Sequence, residues 1–186
     1  MGKSKIFKYV PLIIALCGVI MLIAAFFLPY AAADSEYKEW LVDHADGMYA
    51  EEIGMTNSDA IGISPFEFLR IYIYGASNYS GSNQTISVIC IVMIGLIAGF
   101  TLLCTLFAAL RKPIPLIVFD ILTLAVLLLM NYDFESRGVI SNGRYDWGIA
   151  SYLYFIGFTV TFVGAVWLLI IKIKAKKSSK MTQEEI

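Results

Sequence analysis

Four apolar runs constrain this chain more than any other feature: Tyr9–Leu28, Ile86–Leu110, Ile114–Met130 and Trp147–Ile171, of 20, 25, 17 and 25 residues. A helix rises about 1.5 Å per residue, so each run can cross a hydrocarbon layer about 30 Å thick, the third only just. Backbone groups in lipid find no water to bond, which makes helix the expected form of every run. Hydrophobic residues make up 59% of the 186 and charged residues 16%, against about 45–50% and about 25% in soluble domains. A soluble fold of this length has no room to hide that much apolar surface. The expectation is an all-α membrane protein, a bundle of four transmembrane helices over about 9–28, 86–110, 114–130 and 147–171. Loop one (29–85) and loop two (131–146) would form a small α or α+β outer domain, and 172–186 a cytoplasmic tail.

The charges are sorted, and that sorting predicts orientation. Lys3, Lys5 and Lys8 precede the first run, Arg111 and Lys112 fill the turn between the second and third, and Lys172, Lys174, Lys176, Lys177 and Lys180 follow the fourth. These are ten of the fourteen basic residues. The two remaining loops hold only Lys38, Arg70, Arg137 and Arg144 against twelve acidic residues. Because cytoplasmic segments retain Lys and Arg, both termini are expected in the cytoplasm of a multi-pass plasma-membrane protein. Lysines, an apolar stretch and then Ala31-Ala32-Ala33 also fit a secretory signal. The run is longer than the roughly 7–15 apolar residues of such a signal, which favours a retained helix.

Loop one is too long for a bare connector. Ser64-Pro65-Phe66-Glu67 reads as a capping box with proline at the first helical position, opening a helix that reaches about Tyr74, where Gly75 can stop it. That helix is apolar nearly all round, and Phe66, Phe68, Leu69, Tyr72 and Tyr74 are its expected contact residues toward a partner, lipid or the rest of the loop. Gly75–Gln84 reads as a flexible tether, Ser35–His44 as a short amphipathic helix, and Asn142-Gly143 as a tight hairpin turn. Two glycosylation sequons, at Asn78 and Asn83, stand in the same loop.

Asp120 is the only acidic residue inside an apolar run. A buried carboxyl must be protonated or bonded, so it should face the bundle. Antiparallel packing about the Lys112-Pro113 turn puts Thr105 at its depth, with Thr101 and Thr123 about a turn deeper and Arg111 able to reach back from the surface. Either a proton or ion relay or a packing hydrogen bond follows from such a residue, and with no second membrane acid the packing role is favoured. Gly95 and Gly99 form a GxxxG match, and Gly157, Thr161 and Ala165 recur at four-residue spacing, both patterns that let helices approach closely in lipid.

Catalytic signatures are absent. His44 is the sole histidine, Cys17, Cys90 and Cys104 all lie in apolar runs, and no HExxH, GxSxG or phosphate loop occurs. The acidic cluster Asp43, His44, Asp46, Glu51 and Glu52 lacks EF-hand spacing. The sequence therefore predicts no enzyme, metal, cofactor or nucleic-acid partner. Its expected partners are membrane lipid and another membrane protein or a second copy of itself.

Four helices with a long first outer loop, a short inner turn and a shorter second outer loop resemble the claudin layout. The claudin motif of Trp, Gly-Leu-Trp and two loop cysteines is missing, so no claudin site carries over. Phe27-Leu28-Pro29-Tyr30, Ile63-Ser64-Pro65-Phe66-Glu67-Phe68-Leu69 and Gly148-Ile149-Ala150-Ser151-Tyr152-Leu153 resemble the small four-helix membrane proteins of Gram-positive bacteria. That resemblance implies fold and location, and no activity.

Overall fold

The structure, a computed structural model, describes residues 9–184 and the side chains of residues 9–176. Lys3, Lys5, Lys8 and the side chains of Lys177 and Lys180 lie outside the described residues. The chain is mostly helical with a small sheet. In order it runs α1 (Val10–Ala25), β1 (Ala31–Ala33), α2 (Ser35–Asp43), β2 (Met48–Ala50), β3 (Met55–Thr56), β4 (Gly62–Ile63), α3 (Pro65–Asn78), α4 (Ser82–Ala109), α5 (Pro113–Ser136), β5 (Tyr145–Trp147) and α6 (Ile149–Glu184).

Three helices are long and apolar enough to cross a membrane: α4, α5 and the Ile149–Lys176 stretch of α6. By length and composition they are compatible with a multi-pass membrane protein. The first run forms only 16 helical residues, about 24 Å at a helical rise. Conversely, α5 is longer than the apolar run that marks it, reaching Ser136 rather than Met130. Polar residues past the hydrophobic limit keep the helix through a local pair and a tertiary contact: Arg137 at the C-cap pairs with Asp133 one turn back and donates to Tyr72 Oη of α3.

The α1–α6 pair is the tightest in the molecule. Gly18 faces Thr161 and Gly157, and Gly164 faces Ala15, an antiparallel register in which a Cβ on any of these glycines would meet the opposite helix. Elsewhere α5 returns from α4 through a turn closed at Arg111, a non-glycine residue in the left-handed region (φ 53°). Its N–H donates to Ala108 O, and that of Lys112 to Phe107 O.

At the other end a sheet, ordered β4-β1-β5 and antiparallel throughout, ties loop one to loop two. Alanine favours helix by propensity, yet Ala31–Ala33 form its central strand. Tertiary pairing on both edges overrides the propensity, and the three small residues of the apparent cleavage site hold the lobe together. Gly148 is required where α6 begins, because a Cβ there would run into Pro29 O.

Two local readings of the sequence are corrected. α3 does not stop at Gly75 but runs to Asn78, and α4 begins at Ser82, so the expected tether shrinks to a three-residue corner. Gly75 is instead a contact point where α3 lies against α4, its Cβ position 2.6 Å from Ser87 Oγ. Second, Asn142-Gly143 does not make a hairpin between adjacent strands. Asn142 Oδ1 accepts from the backbone N–H of Arg144 and of Tyr145, an Asx turn that aims β5 at β1. The capping box is present, with Glu67 N donating to Ser64 Oγ and Ser64 N to Glu67 Oε2. α2 starts where expected, with Asp34 accepting from Tyr37 N at 2.7 Å.

Candidate functional site

The sheet-bearing lobe carries a cavity of about 330 Å³ floored by Phe68, Ile71 and Tyr72 of α3 and walled by Tyr37, Tyr49, Asn142, Arg144 and Tyr145. Each wall residue is set by local chain chemistry. Asp34 caps α2, which presents Tyr37 and Trp40 one turn apart with rings stacked at 5.9 Å, and Trp40 stacks in turn on His44 at 4.8 Å. The Asx turn at Asn142 delivers Arg144, whose guanidinium lies 5.5 Å over the Tyr37 ring. β5 delivers Tyr145, edge-on to Tyr37 at 5.5 Å, its hydroxyl donating to Ala60 O at 2.8 Å. Burial pushes the Tyr145 phenol well above its ordinary range, so it is a fixed neutral donor.

Around the cavity the surface stays apolar. Tyr49 of the cavity lining is 39% exposed, and the elements that carry Tyr37 and Tyr49, α2 and β2, also expose Trp40 (49%), Val42 (52%) and Met48 (49%). Below the floor, Arg137 donates to Asp133 at 3.0 Å and to Tyr72 Oη at 3.3 Å, and it also meets Cys90 Sγ at 3.2 Å. This polar knot joins α3, α4 and α5 and holds Tyr72 in place.

The contact residues expected on α3 are divided by the fold. Phe68 and Tyr72 are buried in the cavity floor, and Leu69 packs half-buried against the core. Phe66 instead joins Phe26 and Phe27 in an aromatic group at the end of α1, 6.4 and 5.9 Å away, and Tyr74 meets Tyr79 edge-on. The α3 helix is covered largely by its own chain. What sequence reasoning missed is the α2–β5 wall, because residues 37 and 145 become neighbours only through the sheet.

Asp120 is fully buried, as expected of a carboxyl facing the bundle, but Thr105 is not its partner. Thr105 Oγ1 donates to Thr101 O at 2.9 Å and Thr123 Oγ1 to Phe119 O at 2.8 Å. Arg111 turns away onto the Tyr9 ring at 5.0 Å. Both Asp120 oxygens and Thr101 Oγ1 are buried without a hydrogen-bond partner among the described residues. Gly157, Thr161 and Ala165 lie on α6, where Gly157 and Thr161 meet α1 and Ala165 is buried in the lower core; Gly95 and Gly99 face open space.

Among the described residues no three His, Cys, Asp or Glu side chains converge as metal ligands. Comparison with known proteins finds no matching family model, no similar curated protein and no similar solved structure.

Proposed function

We propose that the chain is a non-catalytic, four-pass protein of the cell membrane with both termini in the cytoplasm, whose outer lobe docks a segment of a partner membrane protein in the Tyr37–Tyr49–Arg144 cavity. The observation that carries this reading is the composition of the cavity and its rim. Tyr, Trp and Arg are the residues that dominate binding energy at interfaces; here Tyr37, Tyr49, Tyr72, Tyr145 and Arg144 line one concave pocket, and Trp40 stacks on Tyr37 beside it. The two loops that build the lobe hold twelve acidic and four basic residues, so the segment that fits carries an apolar anchor flanked by Lys or Arg. A fourth crossing by α1 is supported by its antiparallel seam with α6 and by its outward Ile13, Ile20, Ile23 and Phe27. Orientation rests on the charge sorting.

Tyr49 replaced by a photo-cross-linking phenylalanine in native membranes should yield one discrete adduct, lost on Trp40→Ala and absent when the probe stands at Asp59. A ladder of products, no product, or equal product from Asp59 refutes the docking surface. A reporter active only outside the cytoplasm, fused at Ser141, must be active if the lobe is external.

A second reading, a small transport component using Asp120, is favoured by the unpartnered buried carboxyl. Loss of a solute or ion flux on Asp120→Asn, with stability retained, would put it first.

A further inference from the structure

At the end of the molecule opposite the sheet, a notch of about 340 Å³ lies where α5 begins beside α6. Lys112, the N-cap of α5, lines it together with Lys172 and Lys176, one turn apart on α6, and Ile114, Leu169 and Ile173 add an apolar floor. The α4–α5 turn ties the two sides together, since Lys172 Nζ donates to Arg111 O and Lys112 N–H to Phe107 O. Positive charge is in excess here. Residues 9–20, 105–119 and 160–176 carry Arg111, Lys112, Lys172, Lys174 and Lys176 and no Asp or Glu, while Asp120 is fully buried. The N-terminal end of the α5 dipole is itself positive, so it adds to that excess. Its backbone offers an anion little, because Pro113 and Pro115 remove two of the first three helical N–H donors. Recognition of an anion at this place falls to the ammonium groups.

We infer that this notch binds the headgroup of an anionic membrane phospholipid, its phosphate accepting from Lys112 and Lys172 and an acyl chain lying over Ile114 and Ile173. Charge complementarity selects an anion, since every charged residue lining the notch is a lysine. The apolar floor selects a lipid over a soluble anion. Ile114 and Ile173 are 62% and 59% exposed, so one occupant that joins a phosphate to hydrocarbon meets both the ammonium groups and the isoleucines. Depth agrees with that occupant. From Ile149 to Lys172 α6 rises about 35 Å, slightly more than a hydrocarbon layer of about 30 Å. When Ile149 stands at one boundary, Lys172 therefore emerges among the headgroups of the other, where basic residues are drawn to anionic lipid. Lys174, two residues on and about 200° round the helix, does not line the notch and serves as an internal control.

The inference rests on membrane insertion but not on the docking role of the lobe, so membrane fractionation comes first. A chain absent from the membrane fraction sinks both readings; an inserted chain that fails the following test sinks this one alone. The full chain, purified in mild detergent, is given phosphatidylglycerol or phosphatidylcholine with the same acyl chains, and bound lipid is counted by native mass spectrometry. One phosphatidylglycerol per chain is expected, retained about twentyfold better than phosphatidylcholine, or about fivefold for each of two ammonium groups. Lys112→Gln and Lys172→Gln should each lower that retention about fivefold. Lys174→Gln removes the same charge outside the notch and should change it less than about twofold. The Lys112 side chain makes no capping hydrogen bond, so Lys112→Gln carries the test by itself if Lys172→Gln does not fold. Equal retention of the two lipids overturns the site. An equal loss from Lys174→Gln and Lys112→Gln overturns the notch in favour of diffuse surface charge. Glycerol phosphate at the lipid's concentration should leave the lipid bound; its displacing the lipid would overturn the lipid as the occupant and make a soluble phosphate the ligand.

Discussion

Gly18→Ala adds one carbon to the seam between α1 and α6, and the structure allows its cost to be worked out. The new Cβ would stand 2.7 Å from Gly157 O and closer still to the backbone nitrogen and Oγ1 of Thr161. Ordinary contact begins at 3.4 Å, so relieving the nearer Thr161 contacts takes more than about 0.7 Å, on the order of 1 Å of helix separation. A gap of that size forfeits about a quarter to a half of each dispersion contact across it, each contact being worth about 0.1–0.2 kcal/mol. Val19 and Leu22 are the large buried side chains beside Gly18 on α1. With some 40 contacts each, losing a quarter removes about 3 kcal/mol, at the upper end for overpacking. Thermal unfolding in mild detergent, followed by helical circular dichroism, should show Tm lowered by roughly 6–12 °C. Gly95→Ala is the matched control: its Cβ enters open space, and Tm should hold or rise slightly because alanine favours helix. Equal Tm for the two variants would refute the claim that close approach of α1 and α6 holds the bundle together.

Three further outcomes follow from individual side chains. Because both Asp120 oxygens lack a partner, Asp120→Leu should keep or raise Tm, by about 1 kcal/mol in stability; a loss of 2 kcal/mol or more would mean the carboxyl is bonded in the working protein. Arg137→Leu leaves Asp133 unpaired and unties Tyr72 from α5, which should cost about 2 kcal/mol and shift the fluorescence of the tyrosine-rich lobe; an unchanged melting curve would remove the knot from the fold. Asp59 accepts from the backbone N–H and hydroxyl of Thr56 at 2.9 and 2.8 Å, which hold its carboxyl below the ordinary range. A carboxyl with a depressed folded value stabilises above the unfolded value of about 3.9 and loses that contribution as pH falls through the lower folded value. The Tm difference between the parent and Asp59→Asn should therefore be present at pH 6 and begin to shrink only as pH falls below about 4.

Hydrophobic runs and their lengths, read from the sequence alone, located every long helix among the described residues, because an apolar stretch of that length in lipid satisfies its backbone groups within a helix. The capping box at Ser64 and the start of α2 were legible for the same local reason: the partners lie within three residues of each other. What could not be read is everything that depends on pairing across the chain. Ala31–Ala33 carry no strand signal and become a strand only between residues 62–63 and 145–147, some 30 and 115 positions away. The candidate cavity inherits that dependence, since Tyr37 and Tyr145 meet through the sheet. Of two small-residue patterns on helices, Gly157 and Thr161 sit in a seam while Gly95 and Gly99 face open space. Their spacing is alike, and only the position of α1 decides which pattern is used.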